Sequence, residues 1–218
     1  MTHHKLAIFG TSGFAREVLD IGLSVGFTDF VFLGTGDHEK RYRDYDILPE
    51  SPKRVAELVK DGWVFAVGAG APDIRRKISE NNPDCTFTNL IHPTTTFGLQ
   101  QEESLLPDTG LIIGAGCRIT NSIRFGAHVL LNLNVTVGHD ALLGDFVSIM
   151  PGVNVSGNVD LEPDVYIGTG ATIINGSNQN FLTVGRGSVI GAGAVVARDI
   201  PPGVTAVGIP AKPLPKRG

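Results

Sequence analysis

Hydrophobic positions obey two different rules along this chain. In the first stretch, short apolar runs alternate with apolar residues at helical spacing. Lys5–Phe9 is a run that ends at Gly10-Thr-Ser-Gly-Phe-Ala-Arg-Glu17, after which Val18, Leu19, Ile21, Leu23 and Val25 recur at roughly helical spacing. That pattern predicts strand, tight turn, helix. Phe30–Leu33 predicts a second strand, Val55–Val59 lies in a helix, Trp63–Val67 predicts a third strand and Ile74–Ile78 another helix. Strands alternating with helices imply a parallel sheet with crossover connections. Residues 1–90 therefore read as a small α/β, Rossmann-like domain.

From Ile113 the period changes to six. An aliphatic residue or Phe stands at 113, 119, 125, 131, 137, 143, 149, 155, 161, 167 and 173. A small residue often follows, as in Ile113-Gly, Phe125-Gly, Val137-Gly, Leu143-Gly and Ile167-Gly. The phase breaks at Gln179–Thr183 and resumes at Val184-Gly and Ile190-Gly. An amphipathic helix would repeat every 3.6 residues and a sandwich would not hold this register, so a fixed short period predicts a solenoid of the β-helix class over 91–218. Each six reads as a short strand plus a corner, with the aliphatic residue in a narrow interior and the small residue permitting the corner.

Composition sharpens the division. Of 28 glycines, 11 fall in residues 1–110 and 17 after them, whereas charged residues split 27 to 13 and aromatics 11 to 4. The second half cannot rest on an aromatic-rich core. The net charge of −4 and a pI near 5.8 argue against nucleic acid as a partner. No apolar run approaches the ~18 residues of a bilayer helix. The first ten residues carry no signal-peptide pattern, so a cytoplasmic location is expected. Cys85 and Cys117 are too few for a disulfide framework.

The turn after the first strand is a candidate ligand site. Gly10 and Gly13 let backbone approach a ligand, amides at the helix start can receive phosphate oxygens, and Ser12 and Arg16 add donors. The full G-x-G-x-x-G pattern is absent, and Leu33 is followed by Gly34-Thr-Gly-Asp37 rather than directly by an acid. A mononucleotide or nucleotide-linked sugar thus fits better than a dinucleotide. The alternative is a turn that merely joins strand to helix. Gly68-Ala-Gly70 would lie beside Gly10 at the carboxyl edge of the sheet, where such folds bind ligands. Among the histidines, His128 reads as an exposed corner, His92 as a turn entering the β-helix, and His3, His4 and His38 as surface residues; their spacing predicts no metal site.

The repeat, with Asn132, Val137-Gly-His-Asp140, Leu143-Gly-Asp-Phe146 and the tail Val195-Val-Ala-Arg-Asp-Ile-Pro-Pro-Gly203 and Val207-Gly-Ile-Pro-Ala-Lys212, resembles the left-handed β-helix acyltransferases of the hexapeptide-repeat family. The resemblance extends to the bacterial sugar O- and N-acetyltransferases, which join an α/β nucleotide-sugar domain to such a helix. It implies that three sixes complete one coil, so residues eighteen apart stack about 4.8 Å from each other. Gly157 then stacks on His139, where a missing side chain leaves room for a thioester. The resemblance assigns His139 as general base, Asp140 as its partner and the Gly157 amide as the oxyanion donor. Ser12, Gly13 and Phe14, with Gly34, Thr35 and Gly68, fall where the family binds the nucleotide, although relatives carry an acidic pair in place of Gly34-Thr35. Gly10, Arg16 and Asn132 complete the expected substrate set.

For coenzyme A the candidates are Ser148, Gly157, Thr169, Asn175, Ala192 and Lys212; Ser148 stands where relatives often have a second histidine. The function implied is acetyl-CoA-dependent N-acetylation of a nucleotide-linked amino sugar, of 4-amino-4,6-dideoxy type, in bacterial surface-glycan synthesis. The expected assembly is a homotrimer with active sites between subunits. Two alternatives are sugar O-acetylation, as of sialic acid, and a non-catalytic trimeric β-helix that binds a ligand.

Overall fold

The computed structural model describes residues 4–36 and 40–215. The surface positions expected for His3 and His38 lie outside the described residues. Contacts divide the chain into two compact units, Met1–Pro93 with Pro107–Ile112, and Thr94–Leu106 with Ile113–Gly218.

The first unit runs β1 (Lys5–Phe9), α1 (Gly13–Ser24), β2 (Asp29–Gly34), β3 (Arg41–Tyr42), β4 (Tyr45–Pro49), α2 (Pro52–Lys60), β5 (Val64–Val67) and α3 (Pro72–Asn81). Its sheet has the order β3-β4-β2-β1-β5. β1 pairs in parallel with β2 and β5, and β2 in parallel with β4; only β3 is antiparallel. Ala7, Phe9, Leu33, Phe65, Val67 and Phe87 form a core with Val55 and Leu58 of α2. Each fully buried Phe or Leu there contributes about 1.5–3 kcal/mol. α2 begins at Ser51, whose Oγ accepts from the Arg54 amide at 3.2 Å, with Pro52 in the first turn where it forfeits no hydrogen bond. β3 and β4 were not foreseen, because Arg41–Asp46 is dominated by charged and tyrosyl residues.

The second unit is a parallel β-helix of three sheets. One carries Arg118–Ile119, Thr136–Val137, Asn154–Val155, Thr172–Ile173 and Val195–Val196; the second carries Arg124–Phe125, Leu142–Leu143, Val159–Leu161 and Leu182–Val184; the third includes Leu130–Leu131, Ser148–Ile149, Tyr166–Ile167 and Val189–Ile190. Val137 lies on Val155 and Val155 on Ile173, a spacing of eighteen. Beyond the phase break the partners are Leu161 with Val184 and Ile173 with Val196, so the interruption inserts five residues into one coil without disturbing the stack. The first residue of each six fills the interior, with Ile113, Leu131, Ile149, Ile167 and Ile173 wholly buried.

The corners work differently from expectation. Up to Gly170 the left-handed residue is the fourth of each six, and most such residues are not glycine: Ser122, His128, Asn134, Asp140, Phe146, Asn158 and Asp164 all have φ between 54° and 65°. The second-place glycines serve close stacking instead. A Cβ on Gly138 would come within 2.5 Å of the Gly157 nitrogen, and one on Gly144 within 2.5 Å of the Pro163 nitrogen. Coils at strand spacing leave no volume there for a side chain. His128 is also corrected: it is 7% exposed and stacks at 4.8 Å on Phe146, one coil away.

Candidate functional site

His139 is the third residue of its six and Asp140 the left-handed fourth. Neighbouring side chains on an extended strand diverge. The reversal at Asp140 brings them together, with the Asp140 Oδ2 2.8 Å from the His139 Nδ1. An ionised carboxylate only accepts, so Nδ1 carries the hydrogen and Nε2 of the neutral ring keeps its lone pair. Both side chains are about half exposed.

Gly157 lies on this corner as the eighteen-residue stack requires. A Cβ there would meet His139 Nε2 and Cε1 at 2.6 Å. The space over Gly157 is thus occupied by the imidazole itself, which corrects the expectation of a gap left for a thioester. The Gly157 amide donates to no described residue. Asn175 continues the same edge: Asn158 N–H donates to His139 O at 2.9 Å, and Gly176 N–H to Gly157 O at 3.1 Å.

A cavity of ≈ 620 Å³ borders Asp140, lined by Leu99, Ser122, Arg124, Leu142 and Phe181 among others. Two of its walls were missed in the sequence. Phe181 comes from the phase break. Leu99 stands on a loop anchored by Gln101, which is 3% exposed and pairs with Ile123 through both amide atoms, accepting from its N–H at 2.8 Å and donating to its O at 3.0 Å.

In the first unit, the carboxyl ends of the strands gather Gly10, Gly34 and Gly68. Gly10 N–H donates to Leu33 O and Gly68 N–H to Phe9 O, both at 2.8 Å. Gly10 has φ +103°, and a Cβ on Gly68 would lie 2.5 Å from that of Ala15, so the helix start abuts the next turn. Ser12 precedes α1 but caps nothing; its Oγ donates to Gly68 O at 3.4 Å. Gly13 faces open space, Phe14 is half-buried, and Ser12, Arg16 and Thr35 are exposed. The first turn of α1 holds no acidic residue, as suits an anion at its amides. Two further residues shape this edge. The Arg16 guanidinium lies 4.5 Å over the Tyr42 ring, and Arg75, 1% exposed, donates to Gly70 O at 2.9 Å. No pattern in the sequence distinguishes Arg75 from the adjacent Arg76.

Other candidates fall elsewhere. Asn132 belongs to the second unit, is 8% exposed, and its Oδ1 accepts from the Leu133 amide at 2.7 Å. Ser148 has no exposed surface, which corrects its expected contact with coenzyme A. Thr169 and Ala192 are exposed on a different edge of the coil from His139, as Gly193 N–H donates to Thr169 O at 2.9 Å. Lys212 is exposed in the antiparallel tail strand. Burial pushes the Cys85 thiol to about 12 and that of Cys117 to about 11, so neither is a nucleophile at neutral pH. Among the described residues no group of three or more His, Cys, Asp or Glu could hold a metal, and no helix is long and apolar enough to cross a membrane.

An α/β unit with a glycine-lined carboxyl edge, followed by a hexapeptide-repeat coil bearing a corner His–Asp pair, defines a class of two-unit acyltransferases. Residues 5–81 match the PglD N-terminal domain. The chain is 28% identical to a GDP-perosamine N-acetyltransferase of Escherichia coli O157:H7, over 95% of each chain. The acetyltransferase domain of PglB from Neisseria gonorrhoeae is 30% identical, with 97% of this chain and all of that domain covered and a TM-score of 0.83; the same domain in complex with acetyl coenzyme A superposes at 0.77. A histidine-to-asparagine variant of perosamine N-acetyltransferase from Caulobacter crescentus, in complex with CoA and GDP-perosamine, is 25% identical over 97% of each chain, with a TM-score of 0.86. The chain belongs to the PglD-like, left-handed β-helix family of hexapeptide-repeat sugar acetyltransferases.

Proposed function

We propose that the protein transfers the acetyl group of acetyl-CoA to the amine of a nucleotide-linked 4-amino-4,6-dideoxy sugar, with His139 as general base. The observation that carries this reading is the His139–Asp140 pair stacked on Gly157, with Nε2 unengaged by any described residue. His139 Nε2 accepts a proton from the sugar amine as its nitrogen attacks the thioester carbonyl carbon. Asp140 holds the ring tautomer and offsets the charge of the imidazolium. The Gly157 amide donates to the oxygen that becomes negative, and the carbon–sulfur bond breaks as His139 returns the proton to the departing thiolate.

The first unit would hold the nucleotide, with phosphates at the Gly10–Arg16 turn. Within the second unit, the cavity beside Asp140 suits a sugar by its chemistry, because Leu99 and Phe181 offer apolar surface while Ser122 and Arg124 offer donors. Asn175, Thr169, Ala192 and Lys212 are the surface residues left to meet coenzyme A. They lie on more than one edge, which a homotrimer would bring together between subunits; exposed Leu133, Ile174 and Ile209 favour such packing. The chemistry suits a cytoplasmic step of surface-glycan synthesis, where acetyl-CoA is at hand.

Thiol release from acetyl-CoA, measured against a panel of nucleotide-linked amino sugars and their hydroxyl counterparts, tests the reading. Turnover confined to the amino sugars is expected. Faster turnover of hydroxyl acceptors would replace N-acetylation with O-acetylation.

A further inference from the structure

The carboxyl edge of the first unit holds an acidic residue that the reading above does not use. Glu50 follows β4 directly, and its N–H donates to Gly34 O at 2.8 Å, one residue beyond the Gly34–Pro49 pair of the parallel ladder. With the bonds from Gly10 to Leu33 and from Gly68 to Phe9, this fixes Glu50, Gly34, Gly10 and Gly68 in one row along the edge. Two strand spacings separate Glu50 from the Gly10 turn, roughly 10 Å. That is the reach of a nucleotide from phosphate to base.

The Glu50 carboxylate makes no hydrogen bond or ion pair with a described residue, although it is half-buried. Burial pushes its carboxyl above the usual range. An unpaired, partly desolvated carboxylate costs stability unless something else engages it. Among the described residues that end β2 and directly follow it, Gly34, Thr35 and Gly36, none is acidic.

We propose that Glu50 recognises the base of the nucleotide-linked substrate and selects guanine. The proposal rests on the nucleotide-sugar reading above. Guanine presents two adjacent coplanar donors, N1–H and the exocyclic amine, which match the two oxygens of a carboxylate. Uracil offers a single N–H between two carbonyls, and the oxygens of those carbonyls repel a carboxylate. Adenine and cytosine each set one amine beside a bare ring nitrogen.

Calorimetric titration of the full chain with GDP and with UDP, for wild type, Glu50→Gln and Arg16→Ala, separates this proposal from the reading beneath it. Wild type should bind GDP at least about tenfold more tightly than UDP, Glu50→Gln should erase that ratio, and Arg16→Ala should weaken both nucleotides alike. An unchanged ratio in Glu50→Gln, or a preference for UDP in wild type, overturns the role of Glu50 while leaving nucleotide binding intact. Equal weakening of both nucleotides by Glu50→Gln moves the carboxylate to the ribose and also overturns base selection. Failure of both nucleotides to bind wild type overturns the nucleotide-sugar reading itself.

Discussion

In the second unit His139 owes its place to repetition: an eighteen-residue stack sets it on Gly157, and the left-handed fourth position turns Asp140 back onto it. In the first unit no spacing relates Gly10, Gly34, Glu50 and Gly68, which are far apart in sequence and meet because parallel strands end at a common edge. A coil specifies its corner chemistry locally, and each added side chain threatens a neighbouring coil. A sheet edge specifies its site through the whole fold, and its tolerance depends on how the turns pack.

That contrast is sharpest at two glycines. Gly157→Ala would drive a methyl group into the His139 ring, 2.6 Å from Nε2. Displacing a base by such a distance should lower turnover about 100-fold, measured as thiol release, with nucleotide affinity unchanged. Gly68→Ala meets Ala15 at 2.5 Å and should destabilise the first unit by about 1–3 kcal/mol in denaturant unfolding. Nucleotide affinity should fall while coenzyme A affinity holds; loss of both would break the division of labour between the units.

The smallest effect concerns charge. Burial raises the Glu50 carboxyl in the folded protein, so ionising it there costs more than in the unfolded chain. The stability linked to its protonated form is complete below the unfolded value and lost as pH rises through the folded one. Glu50→Gln should therefore raise the unfolding temperature modestly at about pH 7 and leave it nearly unchanged at about pH 3.5, below the value of an unfolded glutamate. A rise of equal size at both pH values would assign the effect to packing.

Legibility in the sequence followed the same line. The coil was readable because the first residue of each six must fill a narrow interior, and every such position from Ile113 to Ile173 is aliphatic or Phe, with Phe125 alone only half-buried. The stack of Gly157 on His139 followed from the family's eighteen-residue coil. The corners were misread, since Ser, His, Asn, Asp and Phe all occupy the left-handed position and no residue type marks it. The alternating strands and helices announced the parallel sheet, but β4 escaped because polar residues mask its alternation. Tyr42 beneath Arg16 and the buried Arg75 depend on tertiary placement, which gives no periodic trace.

The central claim is that the His139–Asp140 corner performs the proton transfer. Its most direct test is thiol release from acetyl-CoA with a nucleotide-linked amino sugar, compared between wild type and His139→Ala, alongside calorimetric titration of each with coenzyme A. The account predicts a loss of turnover of about 10²–10⁴-fold with coenzyme A affinity retained. Undiminished turnover in His139→Ala would contradict it.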